Sequence, residues 1–479
     1  MKRSLPLAAY LLAVILAILF WSTDLLSTDS NRVANELAQN GLSSFVRAAL
    51  TNEIDFRANY RSNDPKDNLA IITRELERNG GRFTRLAEGR LDRAFPGRPD
   101  GLGQLNVVLV SSESFGAEFS RLYGSERDLT PNFDEFAQQG IWFSHAYASG
   151  TRTVRGLEAF MSSIPPIPTV SILRRPGFKN VATWGAVMRS LGYQTSFLYG
   201  GYGYFDNMNA FFGGNGFDVQ DRRSIDKVRF ENIWGVADED LFDHSLDYFD
   251  RLHASGKPFF SVIMTTSNHK PFTFRKGLEA QGIPPEGGGR AAGVHYADFA
   301  LGKFLRDARE HPWFDDTVFV VAADHGARVY GAEEIPLKTY EIPVMIYSPK
   351  HLAPQRVDAL TTQIDIAPTV LGLLGLPYEA PFFGQDALNT PADRRLAFFN
   401  HNHDVAIYRD GNLVVFGLGK TVNTFSYDSG NDRYAPAPRD PELERLGVAY
   451  YQTAYELFEG GRYLPSADAG QAAVAGGSK

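Results

Sequence analysis

Two apolar runs that end at acidic residues constrain this chain more than any other feature. Asn106-Val-Val-Leu-Val110 feeds Ser111-Ser-Glu-Ser-Phe115, and Val318-Phe-Val-Val-Ala-Ala323 feeds Asp324-His325-Gly326. Runs this short, continuous and rich in β-branched residues predict strands buried on both faces, as in a parallel sheet. Similar runs at 194–199, 259–265 and 342–347 alternate with helical stretches at 131–139, 155–162, 238–252 and 297–310. The alternation predicts an α/β fold with a largely parallel central sheet and helices on both faces. In such a sheet ligands bind beyond the carboxyl ends of the strands, which makes Glu113, Asp324 and His325 the first candidates for chemistry.

Composition narrows the choice. A chain of 479 residues that is 43% hydrophobic and 13% aromatic holds enough apolar material for a sizeable core, which excludes a disordered or fibrous protein. Its 48 basic and 56 acidic side chains give a net charge of -8. That balance excludes the broad cationic surface of a general nucleic-acid binder, so an anionic substrate must be met by local cations. The absence of cysteine excludes disulfides, thiol nucleophiles and thiolate metal sites, leaving oxygen and nitrogen as the metal ligands.

Residues 5–21 carry no charge, follow Lys2 and Arg3, and end at an interfacial Trp21. Such a stretch is at the short end of what spans a bilayer. No small-x-small cleavage pattern follows it, which favours a retained anchor over a cleaved signal peptide, with the bulk of the chain exported. The expected layout is an anchor at 1–23, a helical spacer at 24–100, a catalytic domain at 101–390, a small C-terminal subdomain at 391–463 and a disordered tail at 464–479. Helical periodicity marks 33–50 and 69–86 in the spacer, and Asp410-Gly411 predicts a hairpin over 404–416. There is no internal repeat.

A Glu from one strand end and an Asp-His pair from another supply hard oxygen and imidazole donors, suited to Zn²⁺ or Mn²⁺. The plainer readings are a residue beside a helix cap for Glu113 and a turn with a hydrogen-bonded histidine for Asp324 and His325. Between the two runs lies Ala148-Ser-Gly-Thr-Arg-Thr-Val-Arg-Gly156, which opens a helix. Free N–H groups at a helix start suit a phosphate, and Arg152 or Arg155 can clamp it bidentately. A threonine hydroxyl is a poor nucleophile without a metal that draws off its proton, which couples this loop to Glu113, Asp324 and His325. Capping of the helix by Thr151 and Thr153 is the structural alternative.

Taken together, Asn106-Val-Val-Leu-Val-Ser-Ser-Glu113, Thr130-Pro-Asn-Phe-Asp134, Gly150-Thr-Arg-Thr153, Ser267-Asn-His-Lys-Pro-Phe272, Ala323-Asp-His-Gly326, Glu341-Ile-Pro-Val344 and Gln363-Ile-Asp-Ile-Ala-Pro-Thr369 resemble the sulfatase-fold phosphotransferases of the alkaline phosphatase superfamily. That group includes lipoteichoic acid synthases, phosphoglycerol transferases of periplasmic glucans and phosphoethanolamine transferases of lipid A. The resemblance runs in order over roughly residues 100 to 400. It implies that Thr153 is the nucleophile that becomes phosphorylated. It also implies that Glu113, Thr153, Asp324 and His325 hold one divalent metal, Mn²⁺ or Zn²⁺ with Mg²⁺ as an alternative. By the same resemblance His269 binds the transferred headgroup or protonates the leaving group, against the alternative of a structural turn contact.

Some features depart from the family pattern. Where lipoteichoic acid synthases resemble Phe-Trp-Asn-Arg, this chain has Phe205-Asp-Asn-Met208, leaving Asp206 and Asn207 to hold hydroxyls or an ammonium. The absence of cysteine weighs against the disulfide-bearing phosphoethanolamine branch, and excludes the formylglycine made from Cys in most sulfatases. One apolar segment replaces the several usual in the family. His401 and His403, at i and i+2, are further substrate-side candidates if they share a strand face. Residues 234–240 and Arg174-Arg175 sit in loops that border the cleft in this reading.

The expected function is a metal-dependent transferase outside the cytoplasmic membrane. It moves a phosphoglycerol-type headgroup from an anionic phospholipid, through phosphothreonine, to a glycan or polyol acceptor. No Walker loop is present and no ATP is needed. A catalytically silent lipid-binding envelope regulator, and a phosphodiesterase or phosphatase of the same fold, remain as alternatives.

Overall fold

A computed structural model describes residues 55–466, together with Tyr10, Leu12 and Ala13. The central sheet has eight strands: β1 Asn106–Ser112, β2 Ile141–Phe143, β3 Gln194–Tyr199, β4 Asp218–Gln220, β5 Phe259–Met264, β6 Thr317–Ala323, β7 Val344–Tyr347 and β8 Gln355–Val357. Their order is β8-β2-β7-β6-β1-β5-β3-β4. Every residue of β1, β5 and β6 is buried, which explains the unbroken apolar runs at the centre of the sheet.

Seven strands run one way and β7 runs against them. The sheet is thus largely parallel, as expected, and the reversal falls where residues 324–343 form a loop with only a short 3₁₀ turn, Leu337–Tyr340. A parallel return needs a crossover long enough to carry the chain back along the sheet, usually a helix.

The principal helices are α1 Pro65–Arg78, α2 Pro131–Gln138, α3 Thr153–Ser162, α4 Trp184–Ser190, α5 Asp238–Ala254, α6 Gly289–Ala308, α7 Ile366–Leu374 and α8 Pro441–Glu459. Neighbouring β5 residues separate two layers, because successive side chains point to opposite faces of a sheet. Phe259 meets Phe249 of α5, ring centroids 5.1 Å apart, and Phe260 meets Trp184 of α4 at 4.5 Å. Helices α2, α5 and α6 pack together on the first face, and α3, α4 and α7 on the second.

The expected C-terminal hairpin is part of something larger. Strands β9 Ala397–His401, β10 Asp404–Arg409, β11 Asn412–Phe416, β12 Val422–Asp428 and β13 Arg433–Pro436 form an antiparallel sheet in sequence order. Asp410 and Gly411, with φ of 49° and 81°, make the tight β10–β11 turn that the Asp-Gly pair predicts. Helix α8 covers this sheet, and Tyr451 Oη donates to Ala406 O at 2.6 Å.

Residues 55–95, expected within a spacer, are built into the body. Asp64 caps α1 by accepting from Lys66 N at 2.8 Å, with Pro65 in the first turn. The helix ends at Arg78 because Gly80 and Gly81 take φ of 88° and 78°, which stops the expected run to 86. Arg93 pairs through its strand with Tyr378–Ala380. Its guanidinium donates to Leu76 O, Gly80 O and Phe382 O at 2.7–2.8 Å.

The expected anchor at 5–21 lies outside the described residues apart from Tyr10, Leu12 and Ala13, as do the 33–50 helix and the tail beyond Ser466. Among the described residues no helix is long and apolar enough to cross a membrane. The tail's first residues are docked: Arg90 donates to Leu464 O at 2.9 Å, and Ser466 Oγ donates to Asp92 Oδ1 at 2.5 Å.

Leu76 is 0% exposed, so Leu76→Ala is expected to lower stability by about 2–5 kcal/mol in denaturant titrations. A segment serving only as a spacer would leave the midpoint unchanged.

Candidate active site

Register brings the carboxylates together. Ala323 of β6 pairs with Ser112 of β1, and Asp324 N donates to Ser112 O at 3.1 Å, so the next residues, Glu113 and Asp324, leave the sheet side by side. On the other flank of β1, Glu113 N donates to Thr265 Oγ1 at 3.0 Å just past β5. Asp324 Oδ1 accepts from Ser114 N and His325 N, both at 2.8 Å, which fixes its carboxylate. One ligand atom each from Glu113, Asp324 and His325 lie within 4.8 Å of one another.

Helix α3 delivers the hydroxyl. No side chain caps it, so neither Thr151 nor Thr153 serves as the cap. Thr153, its first residue, donates its hydroxyl to Glu113 Oε2 at 3.2 Å. The uncapped start leaves the first amide groups and the positive end of the helix facing the same spot, a setting for an anion. Close contact between α3 and the strand end requires Gly156, because a Cβ there would lie 2.3 Å from Asp324 O.

The 265–269 loop closes another side. Asp238 Oδ1 receives Thr266 N and Ser267 N at 2.9 and 3.0 Å, and Asn268 Nδ2 donates to Glu113 O at 3.0 Å. His269 Nε2 thereby lies 3.0 Å from Glu113 Oε1. Its ring stacks on Trp234 with centroids 4.0 Å apart. Burial alone would lower the His269 pKa, but the hydrogen bond and charge of Glu113 outweigh it and raise the pKa.

The donor set fits a divalent cation. His325 Nδ1 sits 2.7 Å from Gly326 O. A carbonyl can only accept, so Nδ1 carries a proton and Nε2, which faces the carboxylates, is the ring atom placed to ligate a cation. Asp324 Oδ2 is buried without a hydrogen bond, 3.4 Å from that Nε2. Burial and the neighbouring Glu113 charge push Asp324 well above the usual carboxylate range. Burial also works to raise Glu113, but His269 and His325 outweigh it and hold that group low. Two buried carboxylates that cannot both ionise comfortably are what a cation relieves.

Other expected residues are placed differently. Arg155 turns away into a buried pair with Glu158 at 3.0 Å and donates to Thr169 O at 2.8 Å, so it is not available as an anion clamp. Arg152 is exposed and, with Arg174, flanks Asp206. Asp206 lies 3.5 Å from Arg174, and Asn207 Nδ2 donates to Leu173 O at 2.7 Å. His401 pairs with Asp404 across the β9–β10 turn that contains Asn402 and His403. The two histidines therefore do not share a strand face, and neither belongs to the 113–324–325 cluster. Asn400 N donates to Ser149 O at 2.8 Å, which sets this turn beside the loop that opens α3.

Sequence reasoning passed over Gln363 as a working residue. Its Oε1 accepts from Ser149 N at 2.9 Å, and its Nε2 donates to Ala323 O and Asp324 O at 2.9 and 2.7 Å. One amide thus fastens the α3 loop to the β6 end. Its appearance in a quoted motif was the available signal. Trp234 lay in a segment noted only as bordering the cleft.

Residues 105–376 match the family model described as Sulfatase. Phosphoglycerol transferase I of Escherichia coli (strain UTI89 / UPEC) is 27% identical over 242 residues, covering 46% of this chain and 31% of that protein. The chain thus matches under a third of the length of that curated relative. A crystal structure of an alkaline phosphatase superfamily protein from Vibrio parahaemolyticus superposes with TM-score 0.80 at 32% identity, over 86% of this chain and 100% of that one. The lipoteichoic acid synthase LtaP from Listeria monocytogenes shares the fold, with TM-score 0.63 at 17% identity over 82% and 98% of the two chains. The matched span, the superposition over 86% of the chain and the site at the strand ends together make this chain a member of the sulfatase family, within the alkaline phosphatase superfamily.

Proposed function

We propose that this chain is a metal-dependent phosphotransferase. It moves a phosphoglycerol-type headgroup from an anionic membrane phospholipid to an extracytoplasmic glycan or polyol through phosphothreonine at Thr153. The observation that carries this reading is the Thr153 hydroxyl at the uncapped start of α3, 3.2 Å from Glu113 and beside Asp324 and His325. The curated relative named a phosphoglycerol transferase supports the reaction class.

Glu113, Thr153, Asp324 and His325 would hold Mn²⁺, Zn²⁺ or Mg²⁺. When bound, such an ion supplies the positive charge that acidifies a hydroxyl and neutralises phosphate oxygens. The residues do the rest. Thr153 Oγ1 attacks phosphorus, the Oγ1–P bond forms, and the bond from phosphorus to the diacylglycerol oxygen breaks. The threonine proton departs along its hydrogen bond to Glu113 Oε2 and passes on to solvent, because Glu113 is itself held ionised. His269, whose pKa the hydrogen bond and charge of Glu113 raise, gives a proton to the departing oxygen.

In the second half an acceptor hydroxyl gives its proton to His269 and attacks the same phosphorus. The bond to Thr153 breaks and its oxygen regains a proton from solvent. Arg152, at the exposed N-cap of α3, meets the anionic headgroup, and Asp206 and Asn207 line the approach. Residues 5–21 anchor the chain with its catalytic body outside the cytoplasmic membrane, which keeps the domain beside its lipid donor.

Incubating the full chain with fluorescent phosphatidylglycerol and Mn²⁺ is expected to release diacylglycerol, and Thr153→Ala to slow release on the order of a thousand-fold or more. Equal release by both would overturn the nucleophile assignment. An adduct on Thr153 in intact mass spectra separates a transferase from a plain hydrolase.

His325→Ala is expected to abolish stoichiometric metal binding, and retention of the ion would defeat the ligand set. Because Asp324 is pushed upward without a cation, metal must displace a proton. Affinity measured by calorimetry should therefore rise with pH through the neutral range, by up to about ten-fold per unit.

A further inference from the structure

Among residues 55–466 the large apolar side chains left exposed are Tyr202, Tyr204, Phe205 and Ile233, at 40%, 78%, 42% and 80%. They form one patch. Tyr202 and Tyr204 have ring centroids 5.9 Å apart, and Phe205 meets Trp234 edge-on at 5.9 Å. Ile233 and Trp234 make the turn of a short hairpin in which Asn232 pairs with Gly235. Val236 N donates to Gly200 O at 2.9 Å, binding this hairpin to the 200–205 loop. Trp234 in turn stacks on His269, so the patch borders the mouth of the candidate site.

A single exposed apolar side chain is ordinary on a soluble surface, but Ile233 at 80% exposure belongs to a contiguous patch, and contiguous apolar surface of this kind marks an interaction site. Its composition is that of a bilayer interface, where Tyr and Trp sit at headgroup level and aliphatic and Phe side chains reach the acyl boundary. The surroundings are cationic. Arg152 and Lys270 are exposed, Arg174 is 53% exposed beside Asp206, and Glu231 of the hairpin is paired with Arg222, a surplus of cations that complements an anionic leaflet in a chain whose net charge is -8. Residues 22–54 lie between the apolar 5–21 stretch and the folded body. Thirty-three residues reach at most about 110 Å when extended, long enough for the body to turn this face to the membrane.

We infer that the Tyr202–Phe205 loop and the Ile233–Trp234 turn dock on the surface of an anionic phospholipid bilayer, holding the mouth of the site against the leaflet. The inference rests on the reading of a lipid headgroup as donor, and it names how that donor is reached without leaving the membrane.

The absence of cysteine makes single labels clean. The full chain carrying Ile233→Cys and a nitroxide is reconstituted in vesicles of phosphatidylcholine and phosphatidylglycerol in equal parts. The label is expected to be shielded from an aqueous collision reagent, whereas a label at Asp315→Cys, 66% exposed just before the amino-terminal end of β6 and so at the opposite strand ends from the site, stays accessible. Equal accessibility at the two positions overturns the docking. Shielding that needs only a soluble glycan, without vesicles, overturns it in favour of a carbohydrate platform.

The double variant Tyr204→Ser/Ile233→Ser is expected to lose at least about ten-fold in turnover of vesicle phosphatidylglycerol, the scale of one buried apolar side chain. It should keep wild-type turnover of monomeric dihexanoyl phosphatidylglycerol. Equal loss on both donors overturns the docking. If the wild type turns over neither donor, the transfer reading fails, and the label comparison still decides the docking.

Discussion

The structure depends on two acidic residues leaving adjacent strands in the same register. Glu113 and Asp324 are 2% and 0% exposed, and one is held low while the other is pushed high. Left to themselves such neighbours repel, and burying them is costly. The surroundings are arranged to limit that cost. Backbone amides of residues 114 and 325 fix Asp324, Thr265 and Asn268 tie down the backbone of residue 113, and two imidazoles face the charge.

The rest of the site follows from that pair. Helix α3 must approach the β6 end closely enough for Thr153 to reach Glu113, and Gly156 is the concession that permits it. Gln363 ties the loop before the helix to the same strand end. Packing beneath is equally committed. The Thr130-Pro-Asn-Phe-Asp134 motif is a structural joint, because Asp298 of α6 accepts the amides of Asn132 and Phe133 at the start of α2. Arg155 belongs to this support too. A guanidinium in a buried ion pair with Glu158 cannot be withdrawn to greet a ligand without leaving an unpaired carboxylate behind.

Much of the fold was legible because it rests on local pattern. The strand runs, the helix positions and the Asp-Gly turn between β10 and β11 all register in neighbouring residues. The misses have a common origin. The incorporation of residues 55–95 depends on Arg93 finding carbonyls at 76, 80 and 382. His401 and His403 looked like a same-face pair only while the strand was assumed to continue past residue 401.

The sequence by itself determined the chemistry on offer: carboxylate and imidazole donors at strand ends, a hydroxyl at a helix start, no thiol anywhere, and a sheet buried on both faces. These are matters of residue identity and short-range periodicity, which neighbours along the chain suffice to set. Only the tertiary structure decided which donors meet, that Arg155 faces inward while Arg152 faces out, and that the exposed aromatics gather beside His269. Side-chain direction and proximity are settled by packing between segments tens to hundreds of residues apart, where the competing contacts leave no mark on local pattern.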